Sequence, residues 1–597
     1  MPFSVTEHDG LLELSLDTPK APINIFTLGS TRQLLDIMST LDTDRIRAVV
    51  IRSAKPGSFI NGGDLMRASV VLENAEAIQT AIGPHYEAYD AVRESPVPVI
   101  ALVQGNCFGC GLELMLRCSH RLAVDTPDTL FRMTELTDYH MPLIFGGTHL
   151  LPLQLGLAAA LDLMIWDARW NAPQAHAHQL VHHVAPAEDI ETALREFAKK
   201  VIDGKIPAAT ERRYELRPED IQALAAARRH IAEMPPIYQP ARSGTVDLME
   251  RAARSGAPHD PLREFELFAK TGGVIKNTYQ FFHIRYNAAT LAGANTPPTG
   301  NIMLEFPVDA PELHALRMEL SNRDPNGAQH QPADATPPLW SRLVPIAAAP
   351  QDGAVAVALS FTHRTVAHPT VLYWPAGPGS RFIELRELHP GALPGLAGYL
   401  HRLGYEVAVS RGSSALGTSV LISRFVAVLV AALSSGYSRE SIEATLRASG
   451  WIRRPGELLA AMPATALAEA IRPHLPGALR RHDRAPEVLA AVRELASPAR
   501  WREGQDDPAL RDALTVSLLA AVLHNLDIEG FAHPYSIDLA AREMLDFPLH
   551  ETSLCRYLTP ERLACAADAP HLPTHLFTPE DLAIARRFAT GNRRFYR

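Results

Sequence analysis

Hydrophobic and polar positions follow two different periods along the first hundred residues of the chain. Continuous or alternating apolar runs over 11–16, 48–53 and 97–102 predict buried strands. Apolar residues at helical spacing over 28–41 and 78–94 predict amphipathic helices between those strands. Strands that alternate with helices along a chain are typical of an α/β fold with parallel pairing.

The third predicted strand runs directly into a glycine-rich turn, VQGNCFGCGLE, over 103–113. Gly105, Gly109 and Gly111 allow the backbone to turn tightly and to approach a ligand closely. An amphipathic helix is predicted to begin at this turn, and its free N–H groups would favour an anion. Glu113 lies just inside the helix. A carboxylate beside an oxyanion-binding turn suits acyl chemistry, although the turn alone is also compatible with any α/β domain.

Composition and charge exclude several classes of protein. The chain has 597 residues, of which 47% are hydrophobic, enough for several domains with large cores. Its net charge of -9 argues against a nucleic-acid binder. The start MPFSVTEHDG has no features of a secretory signal, and the longest apolar run, Phe425–Leu433, predicts no membrane span. Five cysteines are few and odd in number, so we expect a reducing, cytoplasmic location.

Three motifs resemble the crotonase (enoyl-CoA hydratase/isomerase) superfamily in their order and spacing. They are SFINGGDL at 58–65, GNCFGCGLEL at 105–114 and FRMTEL at 131–136. In that family two backbone N–H groups hold the oxygen of a thioester, and two glutamates move protons. The resemblance covers roughly the first 190 residues and implies the following site. The oxyanion hole would be formed by Gly63 and Cys110, and the catalytic pair by Glu113 and Glu135.

The resemblance also implies contacts with a CoA thioester, through the main chain or through side chains. The residues concerned are Lys20, Ala21, Ile60 and Asp64. After the second glutamate the segment ELTDYHMPLIFGGT departs from the family pattern and is longer. His140 therefore becomes a candidate substrate contact, with a hydrogen-bonded loop histidine as the alternative.

Cys110 stands where the family usually has glycine, and with Cys107 it spells C-x-x-C. Without a second pair of ligands this spacing is a poor zinc motif, and redox chemistry would displace the oxyanion role. We therefore expect no metal and no cofactor beyond the CoA thioester itself.

The segment 235–288 resembles the connecting segment in the α subunit of bacterial fatty-acid oxidation complexes, whose next domain binds NAD. Residues 289–370 contain no G-x-G-x-x-G, which a dinucleotide site needs. The resemblance places Leu372 at the position of the catalytic histidine of the dehydrogenase, Ser419 at its asparagine, and Glu384 at the acid that orients the histidine. Without an imidazole there is no general base for the hydroxyl group. We therefore expect a truncated, inactive dehydrogenase part and no NAD.

The expected architecture has an α/β crotonase domain (a ββα spiral), then a truncated Rossmann-like region and all-α domains of the dehydrogenase C-terminal type. A Pro- and Asp-rich stretch over 324–338 predicts a loop or linker. The expected boundaries are as follows: a crotonase-like domain at 1–190, a helical linker at 191–298, a pseudo-dehydrogenase region at 299–415, and two helical repeats at 416–500 and 501–597.

The leading functional hypothesis is a hydro-lyase of fatty acid metabolism that adds or removes water at a 2-enoyl or 3-hydroxyacyl thioester. Its substrate would be carried by CoA or by a carrier protein, and we expect a monomer or homodimer without nucleic-acid or integral-membrane partners. Two alternatives remain open. The same fold could catalyse isomerisation, decarboxylation or thioester hydrolysis, or the chain could be a non-catalytic scaffold for a thiolase-like or biosynthetic partner protein.

Overall fold

The structure is a computed structural model of the chain, and its described residues are interrupted by gaps. In the N-terminal half they are 2–64 (except 20 and 22), 75–211, 215–255, 259–272, 274 and 277. Farther along they are 280, 281, 284, 285, 288, 303–305, 340–344, 355–360, 370–373, 382–387, 397, 400, 401, 405–410, 417–459, 462–497, 504–527, 531, 533–590 and 595. The predicted linker at 324–338 lies outside them.

The chain divides into two compact units, Met1–Tyr279 and Gln280–Arg597. The first unit contains the predicted crotonase-like domain and most of the predicted helical linker. The finer division into five segments stays a prediction.

A six-stranded sheet forms the centre of the N-terminal unit. Its strands, in spatial order, are β1 (Phe3–His8), β2 (Leu11–Leu16), β3 (Ala48–Ser53), β5 (Val99–Val103), β7 (His120–Asp125) and β10 (His183–Pro186). β1 pairs antiparallel with β2, and the other neighbours are parallel. The three predicted strands are confirmed, the first two at the predicted bounds. Apolar side chains on one face of the sheet pack against Leu194, Phe197 and Val201 of a covering helix.

A second, smaller sheet carries the loops of the predicted site. It consists of β4 (Ser58–Ile60), β6 (Asn106–Phe108), β8 (Leu130–Arg132) and β9 (Trp170–Asn171), in that spatial order. β4, β6 and β8 are parallel. Because the carboxyl ends of parallel strands meet at one edge of a sheet, the segments after these strands converge there. Those segments contain Gly63, Gly109 and Glu135.

Eleven named helices are described in this unit. They are α1 (Leu28–Ser39), α2 (Ala75–Arg93), α3 (Cys110–Arg117), α4 (Glu135–Asp138), α5 (Gly147–Leu155), α6 (Leu157–Ile165), α7 (Ala172–Ala177), α8 (Ile190–Ile202), α9 (Pro218–Glu233), α10 (Gln239–Ser255) and α11 (Pro261–Lys270). α1 and α2 confirm the two helices predicted from periodicity. α8 is the helix that covers the main sheet.

Asn24 connects the loop after β2 to the strands beside it, and its side chain is fully buried. Its Nδ2 donates to the Leu16 carbonyl at 2.9 Å and to Ser53 Oγ at 2.8 Å. Its Oδ1 accepts from the Thr18 N–H at 2.9 Å, and its own N–H donates to Ser58 Oγ at 2.8 Å. Asn24 therefore satisfies buried polar groups of the three strands β2, β3 and β4 and of the loop that follows β2.

The C-terminal unit begins with a six-stranded sheet whose strands follow one another in sequence order. They are β11 (Met303–Glu305), β12 (Trp340–Val344), β13 (Val355–Ser360), β14 (Thr370–Tyr373), β15 (Phe382–Glu387) and β16 (Glu406–Ser410). Only the β14–β15 pair is antiparallel. The strands predicted at 354–360 and 370–374 occur here. A mostly parallel sheet is the kind of sheet expected in a Rossmann-like region.

The described residues after β16 are mostly helical and bury one large apolar core. The helices are α12 (Gly417–Ser434), α13 (Arg439–Ala448), α14 (Pro455–Leu459), α15 (Ala464–Ile471), α16 (Ala485–Leu495), α17 (Pro508–Asp527), α18 (Pro534–Leu545), α19 (Leu554–Tyr557), α20 (Pro560–Ala567) and α21 (Pro579–Thr590). In length and composition, α12 and the stretch Pro508–Leu526 of α17 could cross a membrane, contrary to the expectation that no stretch would. However, 83% and 67% of these windows are buried within the protein, as in core helices.

We predict that Asn24→Leu lowers the free energy of unfolding of the N-terminal unit by about 3 kcal/mol. The reason is that a leucine of similar size leaves several buried donors and acceptors unpaired, at roughly 1–3 kcal/mol each. The measurement is hydrogen exchange of peptides from 11–60 in the full chain across a urea series. Asn171→Ala, which removes only the exposed cap of α7, is the control and should cost no more than about 1 kcal/mol. Equal effects of the two changes would contradict the prediction.

Candidate active site

The turn between β6 and α3 is built around Gly109. Its φ of +49° and ψ of -122° suit glycine, and its N–H donates to the Arg132 carbonyl at 3.1 Å. A Cβ atom at this position would lie 2.1 Å from Glu135 Oε1. The second candidate carboxylate therefore occupies the space that the absent side chain leaves open, directly over the start of α3.

Glu113 lies in the first turn of α3 and is 1% exposed. Its Oε1 accepts hydrogen bonds from the N–H groups of Gly147, at 2.8 Å, and Phe145, at 3.3 Å. A Cβ atom at Gly147 would lie 2.8 Å from the same oxygen. The beginning of α5 thus holds the carboxylate of Glu113 by main-chain contacts and close packing.

Glu135 is the first residue of α4 and is 8% exposed. Its Oε2 accepts from the N–H of Thr134 at 3.0 Å, while its Oε1 faces Gly109. Glu113 belongs to the first turn of α3 itself, whereas Glu135 reaches that turn from α4. The structure therefore brings the two predicted carboxylates together in one buried place.

Burial is the main cause of the unusual titration of both carboxyl groups. It raises the pKa of Glu135 to about 7, against smaller opposing effects of backbone N–H groups. It also raises the pKa of Glu113 well above its usual value, and the nearby charges of Glu135 and Glu264 act in the same direction. Groups that titrate near neutrality can both release and accept protons under physiological conditions.

The predicted oxyanion donors lie on two neighbouring loops. Gly63 forms a parallel bridge with Phe26, in which Phe26 donates to the Gly62 carbonyl and Asp64 donates to the Phe26 carbonyl. In such a bridge the N–H of the central residue points to the opposite side. A Cβ atom at Gly63 would lie 3.7 Å from Cys110 Sγ, so the two loops are adjacent. Among the described residues, neither the Gly63 nor the Cys110 N–H has a hydrogen-bond acceptor.

Cys110 contributes a neutral side chain at this place. Burial raises the pKa of its thiol well above the ordinary value, and the neighbouring carboxylates of Glu135 and Glu113 add to the effect. The Cys110 carbonyl accepts a hydrogen bond from the Tyr89 hydroxyl at 2.8 Å. A buried, protonated thiol is inert, so the part of Cys110 that is available to a ligand is its main-chain N–H.

Three of the four predicted CoA and substrate contacts lie among the described residues. Ile60 ends β4, and its carbonyl and side chain pack closely against Gly111 in the first turn of α3. Ala21 and Asp64 are half-buried in the two loops. Lys20 lies outside the described residues. Their roles in binding remain predictions.

The longer segment after Glu135 is anchored to the protein at two points. Asp138 accepts two hydrogen bonds from the guanidinium group of Arg132, at 2.6 and 2.7 Å. His140 has a left-handed φ of +54° and is 2% exposed. Its Nδ1 lies 3.0 Å from Arg242 Nη2, and its ring lies 4.2 Å from that of Tyr238. These contacts favour a loop-anchoring histidine, and its predicted contact with substrate stays a prediction.

Glu384, the acid predicted to orient a catalytic histidine in the dehydrogenase-like part, contacts the backbone at the start of a helix. Glu384 is fully buried in β15. Its two oxygens accept from the N–H groups of Gly417 and Thr418, at 2.7 and 2.9 Å, at the start of α12. Ser419 lies in the same first turn and Leu372 in β14. The retained acid therefore caps a helix, where a carboxylate is favoured by the free N–H groups.

The N-terminal part of the chain resembles a family of known proteins. Residues 6–230 match the family model for enoyl-CoA hydratase/isomerase. This part of the chain is an enoyl-CoA hydratase/isomerase domain. All four residues of the predicted oxyanion hole and catalytic pair lie within the matched range.

Two relatives of this domain share the name fatty acid oxidation complex subunit alpha. The fatty acid oxidation complex subunit alpha of Vibrio campbellii is 30% identical over 200 residues, which is 33% of this chain and 27% of the relative. The protein of the same name from Shewanella loihica is 31% identical over 186 residues, 31% of this chain and 26% of the relative. The match thus spans about a quarter of the length of these relatives.

Solved structures show the same kind of similarity. An enoyl-CoA hydratase from Bacillus anthracis is 24% identical, covers 44% of this chain and 92% of its own, and has a TM-score of 0.31. An enoyl-CoA hydratase/carnithine racemase from Magnetospirillum magneticum is 25% identical, covers 34% of this chain and 74% of its own, and has a TM-score of 0.32.

Two buried charged residues beside the enoyl-CoA hydratase/isomerase domain were not predicted from the sequence. Arg242 on α10 reaches the segment after Glu135, and Glu264 on α11 reaches the start of α5 beyond Glu113. Both follow the range that matches the family. In sequence they stand among ordinary charged residues of amphipathic helices. One feature of the sequence could have indicated that Glu264 is buried. It precedes the apolar Phe265 and so lies beside the buried face of α11.

We predict that Gly109→Ala abolishes the activity of the domain. A methyl group at this position would overlap Glu135 Oε1 and would also be strained by the positive φ of residue 109. The expected result is a loss of at least about 10²-fold in kcat/KM, comparable with the loss of one acid–base group. Gly83→Ala on α2, where a Cβ atom would meet nothing within 4 Å, is the matched control and should retain activity. Full activity in Gly109→Ala would show that Glu135 is placed differently.

We predict that Arg242→Met loosens the segment 136–140. The change removes the Arg242 hydrogen bonds to the Leu136 carbonyl and to His140, at a cost of roughly 1–3 kcal/mol. Hydrogen exchange of peptides covering 133–142 should become faster, and kcat should fall. Arg251→Met, at an exposed position of the same helix, is the control. Unchanged exchange in Arg242→Met would refute an anchoring role.

Proposed function

We propose that the enoyl-CoA hydratase/isomerase domain adds water reversibly to a 2-enoyl thioester, with an acyl-CoA as its substrate. The observation that carries the proposal is the placement of Glu113 and Glu135. Both are buried at the start of α3, and burial raises the pKa of each towards or beyond neutrality. A hydratase needs one carboxylate to accept a proton and one carboxyl group to donate one.

The thioester oxygen would be held between the loops that contain Gly63 and Cys110. Addition of water makes the thioester carbonyl develop into an enolate, and two N–H groups aimed at its oxygen stabilise that charge. The support comes from the bridge geometry of Gly63 and from the position of Cys110 in the first turn of α3. Because the Cys110 thiol is buried and neutral, it adds no competing negative charge.

The proton balance uses the two glutamates as a pair. One carboxylate takes a proton from water as the water oxygen bonds to the β-carbon of the substrate. The other, as a carboxylic acid, gives a proton to the α-carbon. One proton enters the pair and one leaves it, so the pair keeps its total charge. Removal of water follows the same steps in reverse, as microscopic reversibility demands.

We also propose that the C-terminal unit does not oxidise the 3-hydroxyacyl product with NAD. The support is that residues 289–370 lack the glycine fingerprint and that Leu372 stands at the position of the histidine. In addition, both oxygens of Glu384 are engaged by the N–H groups at the start of α12. Oxidation of a 3-hydroxyacyl-CoA by the purified chain, with reduction of NAD, would overturn this part of the proposal.

The test of the hydratase proposal is a thioester panel combined with carboxylate variants. Wild-type protein should hydrate a short 2-enoyl-CoA. Glu113→Gln and Glu135→Gln should each lose about 10²–10⁴-fold in kcat, because each removes an acid–base group. Glu94→Gln, at the exposed end of α2, is the control for a general effect of charge. Hydration at the wild-type rate by the double variant would exclude this mechanism.

The same panel separates the alternatives. Turnover of a 3-enoyl or a dicarboxyl thioester without hydration of a 2-enoyl thioester would favour isomerisation or decarboxylation. Release of free CoA would favour thioester hydrolysis. Absence of any turnover would favour a scaffold role.

A further inference from the structure

Glu264 is a buried carboxylate that the proposed mechanism does not use. It lies on α11, beyond the range that matches the family, and is 1% exposed. Its oxygens accept hydrogen bonds from the Tyr86 hydroxyl at 2.6 Å, from the Gly146 N–H at 3.2 Å and from the Thr148 hydroxyl. His259 Nε2 lies 3.2 Å from Oε2. So many donors around one group suit a charged carboxylate.

Glu264 and Glu113 bind consecutive N–H groups of the same glycine turn. The Gly146 N–H donates to Glu264 Oε2, and the Gly147 N–H donates to Glu113 Oε1. The two carboxylates therefore bind neighbouring peptide units at the start of α5. In a buried place of low dielectric constant, two negative charges at such proximity repel each other strongly.

We propose that Glu264 is a positioning residue for Glu113. Its carboxylate fixes the glycine turn that holds Glu113, and its charge makes Glu113 retain a proton at a pH where an isolated carboxyl group would lose it. This inference rests on the proposed function, because it explains how one member of the catalytic pair stays protonated. The helix α11, which follows the residues that match the family, therefore helps to set the protonation state of Glu113.

The other groups around Glu113 determine the sign of the effect. Glu135 on α4 adds a second negative charge beside Glu113, and the positive charge of Arg117 on α3 acts against it. The remaining titratable neighbours are neutral: the hydroxyl groups of Tyr86 and Tyr89 on α2, and the thiol of Cys110. Burial raises the pKa of Glu113 most, followed by Glu135 and Glu264, while the Gly147 N–H and Arg117 lower it. Removing the charge of Glu264 should therefore lower the pKa of Glu113.

The charges around Glu264 do not change that sign. Arg117 Nη2 would lie 2.6 Å from a Cβ atom at Gly146, and it also donates to the Phe145 carbonyl at 3.2 Å. Its Nη1 is paired with Asp90 at 2.8 Å. The ring of His259 lies 5.6 Å from that of His149, which faces Glu211. All these groups remain when Glu264 is replaced by glutamine.

The experiment compares Glu264→Gln with Glu266→Gln in the full chain. Glutamine keeps the size of Glu264 and one of its two acceptor oxygens but removes its charge, and Glu266 is an exposed residue of the same helix. The titration of Glu113 is followed directly by isotope-edited infrared spectroscopy of labelled glutamate, with Glu113→Gln subtracted in each background. This readout does not require turnover.

We expect Glu113 to titrate at lower pH in Glu264→Gln and at its wild-type pH in Glu266→Gln. If the enzyme hydrates 2-enoyl-CoA, the alkaline limb of its kcat profile should move to lower pH in parallel, because Glu113 acts there as the protonated acid, and KM should change little. A purely structural role of Glu264 would lower the amount of active protein without moving the titration. An unmoved titration in folded Glu264→Gln overturns the proposal.

A second variant covers the case in which Glu264→Gln does not fold. Thr148→Val removes one of the hydrogen bonds that hold the Glu264 carboxylate beside the glycine turn, and it should move the titration of Glu113 in the same direction by a smaller amount. An unmoved titration in folded Thr148→Val then overturns the proposal. A wild-type protein that shows the expected titration but no hydration would refute the proposed function alone.

Discussion

The site depends on the close approach of a carboxylate to a backbone without a side chain at Gly109. Glu135 Oε1 fills the volume of the absent Cβ atom, and the positive φ of Gly109 turns the chain from β6 into α3. The same turn places Cys110 and Glu113 in the first turn of that helix. One backbone conformation therefore positions both carboxylates and one predicted oxyanion donor. It can do so because β4, β6 and β8 are parallel and end at the same edge.

Local pattern was sufficient to predict strands of the main sheet, whereas the short strands β4, β6 and β8 that form this edge were not predicted. The strands at Leu11–Leu16 and Ala48–Ser53 were predictable because their apolar residues are continuous or alternate without interruption. β1 was missed, since only Phe3 of its six residues is buried and the edge strand carries little apolar signal. The family resemblance supplied the pairing of Glu113 with Glu135. Periodicity could not have done so, because the two lie on different helices.

The supporting charges could not be predicted for a physical reason. Arg242 contacts residues about one hundred positions earlier, and Glu264 contacts a tyrosine and a glycine turn more than one hundred positions earlier. Tertiary contacts of this kind leave no local period in the sequence. Amphipathic helices such as α10 and α11 are predicted from the spacing of their apolar residues. In that pattern a buried charged residue cannot be distinguished from a charged residue that faces solvent. The same limitation applies to Glu384, whose capping of α12 depends on where the strand and helix meet.

The clustering of Glu113, Glu135 and Glu264 also bears on the choice between enzyme and scaffold. Burying a carboxylate is costly unless hydrogen bonds or opposite charges compensate, and like charges in one place add to that cost. Arg117 is the cation that lowers the pKa of Glu113, and it is itself engaged with Asp90 and a carbonyl. A domain selected only for docking would be more stable with apolar side chains at these positions. The clustering of these buried acidic groups, of which Glu113 and Glu135 have raised pKa values, therefore favours a site that moves protons, because strain and unfavourable charge persist mainly where chemistry requires them.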